Sequence, residues 1–163
     1  MPGGAGSRYL FGLRPGATLS LTGPFGSFMV DEPPAAEMVF VGHATGIAPI
    51  RAMVRRVLER GGGQPVYVLH GARVAGELLY REEIEAWARA HPRLTWEPVL
   101  ASTGRTAGEN PQLEALVAER YVRAATDRSR HFWICGVGDM VHRLRDLLRG
   151  AGYERRAVRY EQW

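Results

Sequence analysis

The stretch Met38-Val39-Phe40-Val41-Gly42-His43-Ala44-Thr45-Gly46-Ile47-Ala48-Pro49 decides the fold. Its first five residues form a continuous apolar run, short enough for a strand buried on both faces. The small residues that follow interrupt it. Ile50, Met53, Val54, Val57 and Leu58 then recur at i, i+3, i+4, i+7 and i+8, which is one face of a helix. Pro49 suits the first turn of that helix, where its missing N–H costs nothing. A turn of this kind lets a ligand approach the backbone closely. The helix start adds free N–H groups and a partial positive charge, which suit a phosphate. Taken alone, the same residues serve equally well as a plain tight turn.

Outward from this point the alternation repeats. Gly61-Gly62-Gly63 ends the helix, Val66-Tyr67-Val68-Leu69 reads as a second strand, and Tyr80 to Ala90 as a helix with Ile84, Trp87 and Ala88 inward. Leu94 to Leu100 is a third strand, and Leu113, Leu116 and Val117 mark another helix. Phe132-Trp133-Ile134-Cys135 is a fourth strand. Met140, Val141, Leu144, Leu147 and Leu148 line a helix stopped by Gly150 and Gly152, and Ala157-Val158-Arg159-Tyr160 closes as a fifth strand. Strand–helix alternation predicts an α/β fold over residues 36–163, a five-stranded parallel Rossmann-like sheet with helices on both faces. Residues 1–32 differ, being rich in Gly, Ser, Thr and Phe. There Leu19 and Leu21 alternate with Ser20 and Thr22 in a strand pattern, between the turns Pro15-Gly16 and Gly23-Pro24. Asp31-Glu32-Pro33-Pro34 reads as a linker, because Pro-Pro joins neither a helix nor a central strand.

Composition narrows the function classes. A chain of 163 residues with 45% hydrophobic content is not wholly disordered. No apolar run approaches the roughly 20 residues of a membrane-crossing helix, and Met1-Pro2-Gly3-Gly4-Ala5-Gly6 has neither basic region nor apolar core, so no signal peptide is expected. Cys135 is the one cysteine, which excludes an intrachain disulfide and a Cys-rich zinc site and predicts a reducing cytoplasm. All 21 basic residues are Arg, and the net charge is +4. They are scattered, without aromatic interleaving, so nucleic acid is not an expected partner; codon bias and an anionic partner both account for them. His43, His70, His91, His131 and His142 show no metal-ligand spacing, and no metal site is expected.

Ligands of a parallel sheet sit beyond the carboxyl ends of its strands. A second post-strand turn stands there, Cys135-Gly136-Val137-Gly138-Asp139-Met140, again strand, small residues, helix. A Cys at a strand end is more often a small buried hydrophobe than a functional group, and the pairing of two such turns is what favours a site. Tyr160-Glu161-Gln162-Trp163 follows the last strand, where Trp163 either packs on the surface or offers a flat face to a ligand ring. The first turn is no Walker loop, lacking Gly-Lys-Ser/Thr, and no Gly-x-Gly-x-x-Gly, since Ala44 holds the middle place.

Five segments, in order, resemble the carboxyl-terminal part of the ferredoxin–NADP reductase family, which includes the flavin reductase components of oxygenases. Gly4-Ala5-Gly6-Ser7-Arg8-Tyr9-Leu10 resembles G-x-x-S-x-Y-L, which holds the FAD diphosphate. Leu21-Thr22-Gly23-Pro24-Phe25-Gly26-Ser27-Phe28 resembles a barrel segment, Gly42 to Pro49 the G-x-G-T-G-I-A-P loop, Cys135-Gly136 to Met140 the C-G-P-x-x-M turn, and Glu161-x-Trp163 the terminal E-x-F. Ala44 and Val137 depart from the family's Gly and Pro. The family's R-x-Y-S/T segment, which grips the isoalloxazine ring, has no counterpart, so residues 1–32 resemble only a remnant of an antiparallel flavin barrel.

The resemblance implies hydride transfer from NAD(P)H to FAD, and onward passage of electrons to an iron–sulfur, haem or oxygenase partner such as a ferredoxin. It implies Gly4 and Ser7 at FAD, and Gly42, Thr45, Gly46 and Pro49 around the diphosphate and nicotinamide ribose. Cys135, Gly136 and Met140 would shape the nicotinamide pocket, Glu161 would hydrogen-bond the carboxamide, and Trp163 would cover the flavin. Arg73, Ser102 and Arg105 are candidates for a 2′-phosphate, with NADH and NADPH both left open. Leu10, Phe11, Leu19, Leu21, Phe25 and Phe28 are expected to leave apolar surface for a second chain or a second copy. The alternative is a non-catalytic nucleotide-binding or regulatory subunit that has lost flavin.

Overall fold

The computed structural model describes residues 4–23, 25–32, 35–102 and 109–162. Five strands, β1 (Met38–His43), β2 (Val66–Ala72), β3 (Leu94–Leu100), β4 (His131–Gly136) and β5 (Val158–Gln162), form one sheet in the order β3-β2-β1-β4-β5. Every pairing is parallel. β1 lies at the centre and all six of its residues are buried, as a run without polar alternation requires.

Helices cover both faces. On one, α2 (Ile47–Glu59) and α3 (Arg81–Ala90) press Ile50, Met53, Val57 and Ile84 against Phe40, Val68 and Trp133. On the other, α4 (Pro111–Val117) and α5 (Met140–Gly150) press Leu113, Val117, Leu144 and Leu148 against Val39, Val41 and Ile134. Alternate residues of β1 thus feed separate cores, as the two-residue strand period dictates. α4 continues into a π-helical turn, Ala118–Arg123, whose Tyr121 meets Phe132 edge to face at 5.3 Å. Asn110 caps α4: its Oδ1 accepts from Leu113 N at 3.0 Å, and its Nδ2 donates to the Val99 carbonyl at 2.9 Å.

The amino-terminal part departs from expectation in one respect. α1 (Ala5–Phe11) is a short helix with no buried residue. The strand expected at Leu19–Thr22 does not form; Leu21 is 84% exposed. A strand needs a neighbour for its N–H and C=O groups, and no described residue pairs with this segment. Pro24, Pro33 and Pro34 lie outside the described residues.

Ala44 follows β1 with φ at 51°, in the left-handed region that L side chains disfavour. The resemblance puts Gly at this position, and the backbone explains why. Replacing Ala44 by Gly should stabilise the fold by roughly 1 kcal/mol, the left-handed penalty less the added entropy of an unfolded Gly. Urea midpoints of the two proteins check this; a lower midpoint for Ala44→Gly would refute it.

Candidate functional site

The carboxyl ends of β1, β4 and β5 meet. In register, Gly42 faces Cys135, Cys135 faces Glu161, and Gly136 faces Gln162. A Cβ built on Gly46 would overlap the Cys135 carbonyl group and stand 2.8 Å from Gly136 N. The two strand-to-helix turns therefore touch backbone to backbone, with no room for a side chain between them. Gly42 is crowded as well: an added Cβ would meet the Ile50 side chain at 3.0 Å and Ile47 at 3.3 Å. Gln162 Nε2 donates to the Gly138 carbonyl at 3.0 Å, tying the end of β5 to the second turn.

Beside this junction opens a cavity of about 350 Å³, walled by His43, Ala44, Thr45, Arg73, Glu77 and Val137. Thr45 is exposed at its rim and Pro49 is half-buried in the first turn of α2. The Arg73 guanidinium clasps the Glu77 carboxylate, and Glu77 Oε2 also accepts from Arg73 N at 3.2 Å. That guanidinium holds the Glu77 carboxyl below its ordinary range. Under the cavity, His43 is 2% exposed and neither ring nitrogen has a hydrogen-bond partner. Burial lowers its pKa, so the ring is neutral near pH 7. On the other face of the sheet, His70 is fully buried and equally unpartnered.

Not every residue singled out in the sequence reaches the cavity. Cys135 points into the α2 core and is fully buried; burial, and then the charge of Glu161, push its thiol up to about 12. It is neutral at physiological pH, and its backbone, rather than its sulfur, meets Gly46. Met140 is fully buried on the opposite face, beneath Gly136, so it supports the turn and has no free surface for a cofactor. Ser102 is exposed just after β3 and its N–H donates to Gln112 Oε1 at 3.2 Å. Gly4 is exposed and Ser7 half-buried at the start of α1. Arg105 and Trp163 lie outside the described residues.

Two features escaped the sequence. Glu77 stands in the cavity wall paired with Arg73, and since neither residue lies in an α-helix no helical spacing in the sequence marks the pair. Val137 lines the cavity as well, although the sequence offered it only as a departure from Pro. The cleft, the backbone without side chains at its edge and the arginine together fit a phosphate-bearing ligand such as a dinucleotide.

Comparison with known proteins agrees with this geometry. The model for the oxidoreductase NAD-binding domain matches residues 40–146. Ferredoxin–NADP reductase B of Sorangium cellulosum is 39% identical over 166 residues, covering 99% of this chain and 68% of that protein. This chain belongs to the ferredoxin–NADP reductase family. Among solved structures, a cytochrome P450 reductase of Amycolatopsis is 26% identical with a TM-score of 0.69, over 86% of this chain and 42% of the other. A ferredoxin–NADP+ reductase of Plasmodium falciparum is 16% identical and supports the fold alone, with a TM-score of 0.83 over 98% and 66% of the two chains. This reductase-family chain spans between about two fifths and two thirds of these proteins.

In this reductase-family chain the described part of the amino-terminal segment is strongly apolar at the surface, with Tyr9 56%, Phe11 90% and Phe25 84% exposed. Among the described residues no group of acidic, His and Cys side chains could hold a metal, and no helix is long and apolar enough to cross a membrane.

Proposed function

We propose that the chain is the dinucleotide-binding module of a flavin-dependent reductase, carrying electrons from NADH or NADPH through FAD to an iron–sulfur, haem or oxygenase partner. The observation that carries this reading is the contact of Gly46 with the Cys135 carbonyl beside the cleft of Thr45 and Arg73. In this reading Thr45 and the Gly46 backbone hold the diphosphate, and the backbone of Cys135 and Gly136 forms the wall against the nicotinamide. Glu161, in register beside Cys135, accepts from the carboxamide. Trp163 would cover the flavin ring, and Gly4 and Ser7 would hold the flavin's diphosphate. Arg73, Ser102 and Arg105 are the groups available to a 2′-phosphate; the Glu77 carboxylate at Arg73 would have to yield to it.

FAD, when bound, turns a two-electron donor into a source of single electrons. It would accept a hydride from the dihydronicotinamide, whose ring the backbone of Cys135 and Gly136 would hold in place. The exposed apolar side chains of residues 9–25 are the surface at which the flavin-binding partner, a second chain or a second copy, would pack. A single buried cysteine suits a cytoplasmic setting.

Titration of the purified chain with NADH and NADPH tests the module directly. At least one should raise Tm, by about 2–4 °C per kcal/mol of binding-linked stability, and quench indole fluorescence. Added FAD should be bleached by the same nucleotide. Absence of any thermal shift or quenching with both nucleotides would refute the reading. Nucleotide binding without flavin reduction would leave a non-catalytic subunit.

A further inference from the structure

The side of the cleft nearest β2 carries a pair of opposite charges. Arg73 and Glu77 lie in the segment that leaves β2, and both line the cavity with Gly76 and Leu79. The tight turn Ala75–Glu77 is held by its own backbone, with Glu77 N–H donating to the Val74 carbonyl at 3.0 Å and Leu78 N–H to the Ala75 carbonyl at 3.2 Å. The turn brings the Glu77 carboxylate back onto Arg73. Arg73 Nε donates to the two carboxylate oxygens at 3.1 and 3.2 Å, Nη2 grips Oε1, and Arg73 N–H donates to Oε2 at 3.2 Å. A guanidinium and a backbone N–H thus close on a carboxylate as they would on a phosphate. The two side chains keep 50% and 31% exposure, so a ligand entering the cleft meets both.

Charge decides what that ligand can carry. Arg73 and Glu77 are the charged groups among the described residues of the cavity wall, and they cancel. A 2′-phosphate brings about two negative charges at neutral pH. To sit on Arg73 it would have to push Glu77 aside, and the backbone of the turn would keep that carboxylate close by. An exposed ion pair is weak by itself. Repulsion between the two anions, more than the strength of the pair, therefore opposes the phosphate. A ribose hydroxyl meets no such opposition, because it donates to the ionised carboxylate in a charge-assisted hydrogen bond. The place also suits the adenosine half of a dinucleotide. With the diphosphate at the turn after β1 and the nicotinamide toward β4 and β5, the second nucleoside falls toward β2, on the other side of β1.

We propose that Glu77 makes this cleft select NADH over NADPH, its carboxylate accepting from the 2′-hydroxyl of the adenosine ribose and occupying the Arg73 guanidinium that a 2′-phosphate would use. The inference rests on the functional reading above and narrows it to one dinucleotide. Glu77 acts on binding, and the redox step is left to other groups.

Calorimetric titration of the full chain, with no flavin added, tests this. NADH should bind at least about tenfold more tightly than NADPH, a scale set by the juxtaposition of like charges. 5′-AMP and adenosine 2′,5′-bisphosphate differ only in the 2′-phosphate and should show the same order, which assigns the preference to the adenosine end. Glu77→Gln keeps the shape and removes the charge. It should tighten NADPH about tenfold and weaken NADH about threefold, opposite signs that a loosened turn would not produce. Adding Arg73→Leu should abolish the gain for NADPH. Equal affinities of the unaltered chain for the two dinucleotides, or a Glu77→Gln protein in which both affinities move the same way, would overturn the proposal. If the unaltered chain prefers NADPH, the role of Glu77 falls and the functional reading stands. If it binds neither dinucleotide, both fall together.

Discussion

Gly46→Ala should lose dinucleotide binding and about 2–3 kcal/mol of stability. Gly46 has φ −59° and ψ −14°, an ordinary helical conformation that Ala adopts freely. Its requirement for Gly is therefore one of space. The added methyl would overlap the Cys135 carbonyl carbon and oxygen and approach Gly136 N to 2.8 Å. All three atoms are backbone, so no side chain can swing away; the first turn and the end of β4 must part. Overpacking that forces backbone to move costs on the order of 1–3 kcal/mol and occasionally more. For a chain of this size that lowers Tm by roughly 5–10 °C. The same displacement widens the junction on which the proposed diphosphate seat depends, so NAD(P)H titration should show affinity reduced at least about a hundredfold. Ala44→Gly, two residues away, is the control, since it should raise Tm. A Gly46→Ala protein matching the parent in both Tm and Kd would show that the turns do not touch as described.

Acidification should weaken the fold well before the paired carboxylates titrate. His70 lies fully buried beside Trp96, with the two ring centroids 6.5 Å apart, and neither ring nitrogen has a partner. Burial, with a smaller contribution from His43, lowers its pKa from an ordinary 6.5 to about 4. The unfolded chain thus takes up this proton more readily than the folded one. The stability conferred by a neutral His70 is complete above pH 6.5 and is lost as the pH falls toward 4. Linkage puts the loss at about 2 kcal/mol by pH 5 and about 3 kcal/mol by pH 4. His43 is shifted the same way by burial, amid the opposing charges of Glu77, Arg73 and Glu114. Glu32, Glu77 and Glu83 are held low by Arg60 and Arg56, by Arg73 and by Arg51, so their contributions fade only below the ordinary carboxylate range. Urea unfolding at pH 7.5 and pH 5 measures the difference. His70→Gln should flatten the slope even if it lowers stability overall. Equal midpoints at the two pH values, or an unchanged slope in His70→Gln, would contradict the account.

The sheet was legible in the sequence because its determinants are local. Met38–Val41, Val66–Leu69 and Phe132–Cys135 are apolar runs of strand length, and Ile50 to Leu58 repeats at helical spacing. The turns were legible for a similar reason, since Gly42, Gly46 and Gly136 are small exactly where strands give way to helices, and the structure shows side chains being excluded there. What failed at Leu19–Thr22 was the assumption that alternation suffices; a strand also needs a neighbouring edge, which no local pattern supplies. Orientation was equally hidden. Whether Cys135 and Met140 face the cleft or the cores depends on the phase of β4 and of α5 against the sheet, and both turn inward. The contact of Asp31 with the Arg159 guanidinium was out of reach for another reason: the two residues are 128 apart, and nothing along the chain links them.

The strand order carries a practical corollary for protein dissection. β3, β2 and β1 come from the first part of the chain and β4 and β5 from the last, so a single ladder, β1 with β4, stitches the two together. A polypeptide severed between Ser102 and Glu109 would yield two fragments that each keep their own neighbouring strands and helices. Leu113 and Val117 from the second fragment would cover Val39, Val41 and Leu69 from the first. Such a pair has the layout of a complementation reporter, in which recovery of nucleotide binding signals that the two halves have been brought together.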